Sequence, residues 1–553
     1  MLKLKMIHSL EKVFPQKEPN GTFHAAPCAA LCAPSLFQNE RFSWQAAFFA
    51  DKENWGRCEA AVTVEGNLAP YITVKQVGLV PCEFPCYEKA DDYLFTEPGM
   101  APDVLKTLNG NTVRYLPRRW ESLWLTVDGR GAALPAGKHE VRVSVTADGE
   151  TVSDTVTLEV IPASLPEQRL LFTQWLHCDG IARVHGAEMF SERFWAVLER
   201  YVKMAADYGI NLLYTPLFTP PLDTRVGGDR LTCQLVEVTV EDGRYRFGFD
   251  RLARWFAMAR RCGIKWFELS HFFSQWGAKY APKIMASYGK DGAETRIFGW
   301  DTPGGGEEYR RFLAAFLPAL NDFLRREGAA ESCYLHVSDE PGKEHLEAYT
   351  AAASLLKQYL PGYPVMDAMS DYEVYHQSEV SDPVVGLNHI EPFLEKGVSP
   401  LWGYYCCAQY EAVPNRFLAM PSYRNRIAGL LCYKFGLKGF LQWGYNFYNT
   451  QYSLEGLDPY ACTDAGRGFP SGDPFSVYPE GEGCTESLRL SVFRDALQDH
   501  RALCLLEELA GREEALAFLE RCEAGMTFRR YPHDADFLLR LRQELNEEIR
   551  RRL

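Results

Sequence analysis

From Leu170 to Leu509 short strand-like runs alternate with longer runs whose apolar residues recur every three or four positions. A strand buries alternate residues and a helix every three to four, so this rhythm predicts repeated β–α units around a parallel sheet. Eight strand runs can be placed: Leu170–His177, Asn211–Leu217, Ile264–Ser270, Cys333–Asp339, Pro364–Asp367, Val384–His389, Pro400–Cys406 and Gly439–Trp443. Helical runs between and after them include Phe194–Tyr208, Phe249–Arg261, Tyr309–Arg326, Lys343–Tyr359, Ser422–Phe435 and Ser487–Leu509. Gly209, Gly263 and Gly436 stand where three of these should stop, as left-handed C-caps require. Eight units predict a closed (β/α)8 TIM barrel rather than a doubly wound open sheet.

The chain before this rhythm has a different grain. Residues 1–39 are rich in Pro, Ala and Cys and are expected to be irregular. Residues 40–162 read as strands and turns, with Ser122–Val127, Glu140–Val145 and Thr155–Val160 alternating polar with apolar as half-buried antiparallel strands do. A β-sandwich follows from that pattern, with a linker at Pro162–Pro166. The expected organisation is therefore multidomain, β plus α/β: an irregular segment 1–39, a β-sandwich 40–162, a catalytic barrel 167–510 and a helical extension 511–553.

Composition removes several function classes. The net charge is −14, and basic runs such as Arg118-Arg119 and Arg550–Arg552 are short and flanked by acids, which argues against nucleic acid as a partner. No stretch reaches the ~18 apolar residues of a membrane span. The first 17 residues lack a leader's apolar core and small-residue cleavage site. With 16 cysteines, free thiols in a reducing cytoplasm are expected. Cys28/Cys32, Cys82/Cys86 and Cys406-Cys407 match no zinc spacing, so no metal and no cofactor are expected. A homo-oligomer is compatible with the sequence.

Barrel enzymes carry their sites at the C-terminal ends of the strands, and here those ends are polar and aromatic. The sharpest is Asp339-Glu340-Pro341. Cleaving a glycosidic bond needs a proton donor for the leaving oxygen and a group that stabilises the cationic centre. Two adjacent carboxylates can divide that work, because repulsion holds one of them protonated near neutrality. Pro341 disfavours helix at Glu340, so the strand is expected to run extended past Asp339. The competing reading is a plain helix start, since acids before proline often cap helices. The polar company at the other strand ends tips the balance. From those ends Trp443, Asn446, Tyr404, Tyr445, His271, His389, Trp175 and Asp367 are expected to bind substrate. His177, His271 and His389 would form a metal site only by meeting in space.

These segments resemble glycoside hydrolase family 123 and its bacterial relatives. Asp339-Glu340-Pro341 resembles the catalytic strand end of that family. Pro98–Leu105 with Ser122–Val127 resembles its N-terminal sandwich, and Gly439–Asn446 its last barrel strand. Gly472–Pro479, Ser487-Leu488-Arg489 and Arg494-Asp495 resemble the segments that follow. The resemblance implies a β-N-acetylgalactosaminidase-like enzyme acting on a small oligosaccharide or glycoconjugate. It implies substrate-assisted retention, in which the substrate's 2-acetamido oxygen attacks the anomeric carbon. Asp339 would then orient the acetamido N–H, and Glu340 would act as general acid and then base. Two alternatives stay open: a two-carboxylate glycosidase of other sugar specificity using Asp367 or Glu391 as nucleophile, and a non-catalytic glycan-binding protein.

Overall fold

A computed structural model describes residues 1–20, 34–52, 56–289 and 292–553. Ten strands open the chain: β1 (Leu2–His8), β2 (Ser35–Phe37), β3 (Phe42–Ala50), β4 (Cys58–Glu65), β5 (Ile72–Cys82), β6 (Gly99–Thr107), β7 (Thr112–Tyr115), β8 (Trp120–Val127), β9 (Gly137–Ala147) and β10 (Glu150–Ile161). They form two five-stranded sheets, ordered β1-β3-β8-β5-β6 and β2-β10-β9-β4-β7. Trp44, Phe48, Leu123 and Leu125 of the first sheet share one apolar cluster with Val62, Val143, Val145 and Leu158 of the second. The two-residue period of each strand delivers those side chains to one face.

Two expectations change here. The first 39 residues are not irregular throughout, because Leu2–His8 pairs along its whole length with β3. Leu2 and Met6 feed the same apolar layer, which is what draws the strand in. Ser122–Val127 is also not half-exposed. Trp124 is 1 % exposed because its face packs with Val77, Leu105 and Leu488. The Cys28–Cys32 spacing lies outside the described residues.

The remaining strands are β11 (Leu171–Gln174), β12 (Leu212–Thr215), the hairpin β13 (Glu237–Glu241) and β14 (Arg244–Gly248), β15 (Trp266–Leu269), a pair β16 (Ile284–Tyr288) and β17 (Glu294–Phe298), then β18 (Cys333–Leu335), β19 (Met366–Ala368), β20 (Asp382–Gly386), β21 (Trp402–Tyr404), β22 (Gly439–Gln442), β23 (Val477–Glu480) and β24 (Gly483–Glu486). The helices are α1 (Cys178–Val184), α2 (Glu192–Asp207), α3 (Asp250–Cys262), α4 (Glu307–Arg326), α5 (Leu346–Tyr359), α6 (Tyr372–Gln377), α7 (Glu391–Glu395), α8 (Tyr423–Lys434), α9 (Leu488–Ala510), α10 (Arg512–Cys522) and α11 (Ala535–Arg550). Helix α3 ends at Gly263, whose φ of +103° lets its N–H turn back to the carbonyls of Ala259 and Arg260.

Each of the eight expected runs overlaps a strand, with β20 starting two residues earlier than expected and β19 ending one residue later. They lie in two parallel sheets, β12-β15-β18 and β11-β22-β21-β20-β19. A parallel bridge between Leu335 and Val365 joins one pair of ends. At the other, the Asn211 N–H donates to the Phe172 carbonyl at 3.1 Å. Leu171, Tyr214, Tyr334, Met366, Val384, Trp402 and Leu441, contributed by both sheets, form one apolar cluster. Phe172, Leu213, Phe267, Val385 and Phe440 join the larger cluster that takes in the helices.

The segment Phe272–Gly306, between β15 and α4, carries β16 and β17, which complete a four-stranded sheet ordered β14-β13-β16-β17. Most positions of these strands are exposed or only partly buried. Val238, Val240, Tyr245 and Phe247 give the hairpin a two-residue period, whereas β16 and β17 have no such alternation of polar with apolar residues.

Two segments singled out in the sequence meet in space. Val104 bridges to Ser487, and Arg489 pairs bidentately with Asp103 at 2.9 and 2.8 Å, both side chains buried. The Tyr478 hydroxyl donates to the same carboxylate at 2.6 Å. This desolvated pair locks the N-terminal sheets to the start of α9, and breaking one partner of such a pair typically costs ~3–5 kcal/mol. At the C-terminus, α11 closes on β2, with Gln543 Oε1 accepting the Ser35 N–H at 2.7 Å. Among the described residues no helix is long and apolar enough to cross a membrane, and their 14 cysteines are free thiols.

Candidate active site

Polar side chains gather where β11, β15, β18 and β19 end. Glu268 interrupts the run Trp266-Phe267-Glu268-Leu269 and is fully buried. It accepts from Thr173 Oγ1 at 2.8 Å, Trp175 Nε1 at 2.5 Å and His336 Nε2 at 2.5 Å. Asp367, equally buried, accepts from His336 Nδ1 at 2.8 Å, the Val337 N–H at 3.1 Å and the Tyr349 hydroxyl. An indole N–H and a backbone N–H can only donate, so the oxygens they meet are acceptors. The His336 ring stands between the two acids, one against each of its nitrogens. Burial alone would push the His336 pKa down, but the hydrogen bonds to Asp367 and Glu268 hold it up at about 9. Burial pushes the Asp367 carboxyl up, yet the donors around its two oxygens keep the ion pair.

His271 lies flat on His336, with ring centroids 4.2 Å apart and planes 21° apart. Burial, and then the charge of His336, pushes it well below its ordinary value, so it is neutral. Its Nδ1 meets the Tyr214 hydroxyl at 3.0 Å, and its buried Nε2 has no hydrogen-bond partner among the described residues. Donor atoms of His271, His336 and Asp367 lie within 4.8 Å of one another. Near-parallel rings, however, aim their lone pairs side by side rather than at one point, and both nitrogens of His336 are engaged. The set fits a charged hydrogen-bonded chain better than a cation.

The acidic pair stands next to this chain. Strand β18 ends at Leu335, four residues before Asp339, so the expected extended run through Glu340 does not occur. The backbone at Glu340 is left-handed instead, with φ +46°. The helical region is disfavoured before Pro341, and contacts with the loop after β15 fix the turn. Ser338 Oγ accepts the N–H groups of Gly277 and Ala278 at 3.3 and 3.1 Å and donates to the Ser274 carbonyl at 2.7 Å. The Trp276 N–H donates to the Asp339 carbonyl at 2.8 Å. A non-glycine residue held at positive φ costs ~1–3 kcal/mol and is concentrated at working sites.

The turn gives the two acids different surroundings. Asp339 is 8 % exposed and accepts from Gln275 Nε2 at 3.0 Å. Burial, and then the charge of Glu340, pushes its carboxyl up to about 8, against the Gln275 hydrogen bond. Glu340 is exposed, and its Oε1 accepts from the Tyr404 hydroxyl at 2.8 Å. Burial holds the Tyr404 phenol far above its usual range, so it is a fixed neutral donor. Near neutrality the pair retains one proton, as coupled carboxylates do.

The other expected site residues divide. Trp175, His271 and Asp367 lie in the buried chain and act through it. Trp443 is half-buried against Phe447 and Phe469, with its Nε1 donating to Asp473 Oδ2 at 3.0 Å. Asn446 and Tyr445 do structural work instead. The Asn446 amide bonds the backbone N–H and carbonyl of His177, both at 2.9 Å, and the Tyr445 hydroxyl donates to the Tyr201 carbonyl at 2.9 Å. Both are fully buried. His389 is exposed in a turn after β20. His177 meets Arg230 and Trp443 rather than His271. Glu391 starts α7 with Arg529 3.8 Å away, and the oxygens of Asp367 are taken by donors. Sequence reasoning did not assign Glu268, His336, Gln275 or Tyr349 to the site. The signal for the first two was a charged or ionisable side chain inside a strand run that should read as continuously apolar.

Carboxylates sharing one proton at the ends of parallel strands, backed by a buried ion chain, define a hydrolase of glycosidic bonds once the comparisons are added. Residues 175–506 match the family model described as Glycoside hydrolase 123, catalytic domain. The chain belongs to glycoside hydrolase family 123. It is similar, at 15 % identity and TM-score 0.72 over 100 % of this chain and 99 % of the other, to a family 123 glycoside hydrolase from Clostridium perfringens, solved in a study of glycolipid glycan hydrolysis. A weaker likeness, TM-score 0.32 at 9 % identity, links 82 % of this chain to 49 % of a β-glucuronidase from Parabacteroides merdae. Comparison with curated protein sequences returned no match.

Proposed function

We propose that this chain is a retaining, substrate-assisted hydrolase that releases a terminal β-linked N-acetylhexosamine, with N-acetylgalactosamine favoured, from an oligosaccharide or glycoconjugate. The proposal reads the two parallel sheets as one (β/α)8 barrel and the N-terminal sheets as a β-sandwich braced against it. The free thiols support a reducing, cytoplasmic setting.

One observation carries the reading: the adjacent acids have different environments, Asp339 buried on Gln275 and Glu340 exposed on the Tyr404 hydroxyl. In the free enzyme the pair's proton rests on buried Asp339. A 2-acetamido N–H arriving at Asp339 favours its ionised form and transfers the proton burden to Glu340. Glu340 then protonates the leaving oxygen while Asp339 holds the acetamido group, whose oxygen attacks C1. Glu340 next takes a proton from the water that opens the oxazolinium. Trp443, half-buried just after β22, offers an aromatic face at the same end of the strands. The glycolipid substrate in the relative's study suggests a glycoconjugate as a natural target to try first.

The pH dependence follows with its sign. A carboxyl at about 8 must hold its proton for the pair to work, so kcat/KM falls as pH rises through about 8. Gln275 favours the ionised form of Asp339, so Gln275→Ala is expected to move that limb to higher pH by up to about one unit. A limb that stays fixed would remove Asp339 from the titration.

A panel of aryl glycosides tests the substrate: the β-N-acetylgalactosaminide should turn over fastest, followed by the β-N-acetylglucosaminide, with the non-acetylated sugars inert. A thiazoline mimic of the oxazolinium should inhibit competitively. An enzyme that hydrolyses the panel yet ignores the thiazoline does not use the acetamido group.

A further inference from the structure

A second cleft, of about 680 Å³, lies where the first N-terminal sheet meets α2 and α9. Arg41, Lys75, Arg130, Lys203 and Arg494 line it, against Asp128, Asp207 and Glu486. Five cations against three acids leave a positive cleft in a chain of net charge −14. Three cations have carboxylate partners: Arg41 with Asp128 at 2.7 Å, Lys75 with Glu486 at 2.5 Å, and Lys203 with Asp207.

The other two have none among the described residues. Arg130 donates to Thr73 Oγ1 at 3.1 Å and Arg494 to the Asp207 carbonyl at 2.6 Å. Among the described residues the buried Nε of Arg494 has no hydrogen-bond partner, and neither has the buried Nε1 of Trp124 in the same cleft. Burial, then Arg41 and Arg501, pushes the Arg494 guanidinium down to about 10. Arg501 spends its hydrogen bonds on the carbonyls of Pro166 and Leu165, with Glu40 the acid that acts on it most. A desolvated guanidinium beside like charges is unfavourable unless an anion joins it, and arginine's planar fork suits phosphate and sulfate.

We propose that this cleft binds an oxyanion, a phosphate or sulfate group either free or as an ester on a sugar. Arg494 and Trp124 supply the two unused donors, and Arg130 closes over the anion from the exposed side. Arg494 lies against Gly209, in the turn leading into β12, so the site is at the opposite end of the strands from Asp339. It would anchor a substituted glycan or hold an effector rather than take part in bond cleavage.

Isothermal titration of the full chain tests this at constant ionic strength, with inorganic phosphate, inorganic sulfate, glucose 6-phosphate and N-acetylglucosamine 6-sulfate as ligands. The expected result is saturable binding of one anion per chain, weakened about tenfold or more in Arg494→Gln and in Arg130→Gln, with hydrolysis of an uncharged aryl glycoside unchanged. Tighter binding of the esters marks a sugar-borne group as the ligand, and equal binding marks the free ion. Arg130 is exposed, so its variant keeps the test available if Arg494→Gln fails to fold. No saturable heat from any of the four ligands, or affinity unchanged in both variants, overturns the proposal.

Discussion

Glu340→Gln is expected to lower kcat on a β-glycoside with an alcohol leaving group by about 10²–10⁴-fold, the range that general acid catalysis usually supplies. The loss should be far smaller on a nitrophenyl glycoside, whose leaving group needs little protonation. The split arises because Glu340 is the exposed member of the pair, held by Tyr404 where a leaving oxygen can reach it, whereas Asp339 is buried on Gln275. Asp339→Asn should instead depress both substrates together, because it disturbs the group that aligns the internal nucleophile. Comparing kcat for the two leaving groups in each variant checks the assignment. Equal losses on both substrates in Glu340→Gln would take the general acid role away from it.

His336→Leu is expected to be the most destabilising single change at the site. It leaves Glu268 and Asp367 facing each other in the interior without their shared cation, and breaking a buried ion pair from one side costs ~3–5 kcal/mol. The urea midpoint should fall accordingly. Replacing all three residues together with neutral, well-packed side chains should recover much of the loss, since a buried ion set is often no better than its apolar substitute. The pH dependence has a definite sign. The folded His336 pKa of about 9 lies above the ordinary 6.5, so its contribution is full below about 6.5 and is lost as pH rises through about 9. That shift corresponds to about 3 kcal/mol. The stability gap between the parent and His336→Leu should therefore narrow across that window. A gap independent of pH would mean that His336 is neutral in the fold.

The repeated units of the parallel sheets could be read directly from the sequence, because their strands are continuous apolar runs and their helices end at Gly209, Gly263 and Gly436. In the sheet β14-β13-β16-β17 the hairpin does alternate polar with apolar about Asp242-Gly243, but β16 and β17, which complete it, carry no such period. The Asp339–Glu340 pair was visible as a dipeptide at a strand end, but its geometry was not. The left-handed turn at Glu340 depends on Asp339 meeting Gln275 and Ser338 meeting Ala278 across some sixty residues of chain, and no local rule reports such contacts. The ion chain was hidden for the same reason. Glu268, His336 and Asp367 are each ordinary alone and become a unit only when three strands lie side by side. Asn446 and Tyr445 show the reverse error, in which a polar side chain at a strand end looks functional and is spent holding neighbouring backbone, at His177 and in α2.

The central claim, that the substrate's own acetamido oxygen attacks C1 under the guidance of Asp339, is tested most directly by a series of aryl β-N-acylgalactosaminides in which the acyl methyl carries none, one, two or three fluorines. Each fluorine draws electron density from the amide oxygen and weakens it as a nucleophile. The account predicts that kcat falls steeply and monotonically along the series. A flat series, with leaving-group dependence intact, would contradict it and return the reaction to a protein nucleophile.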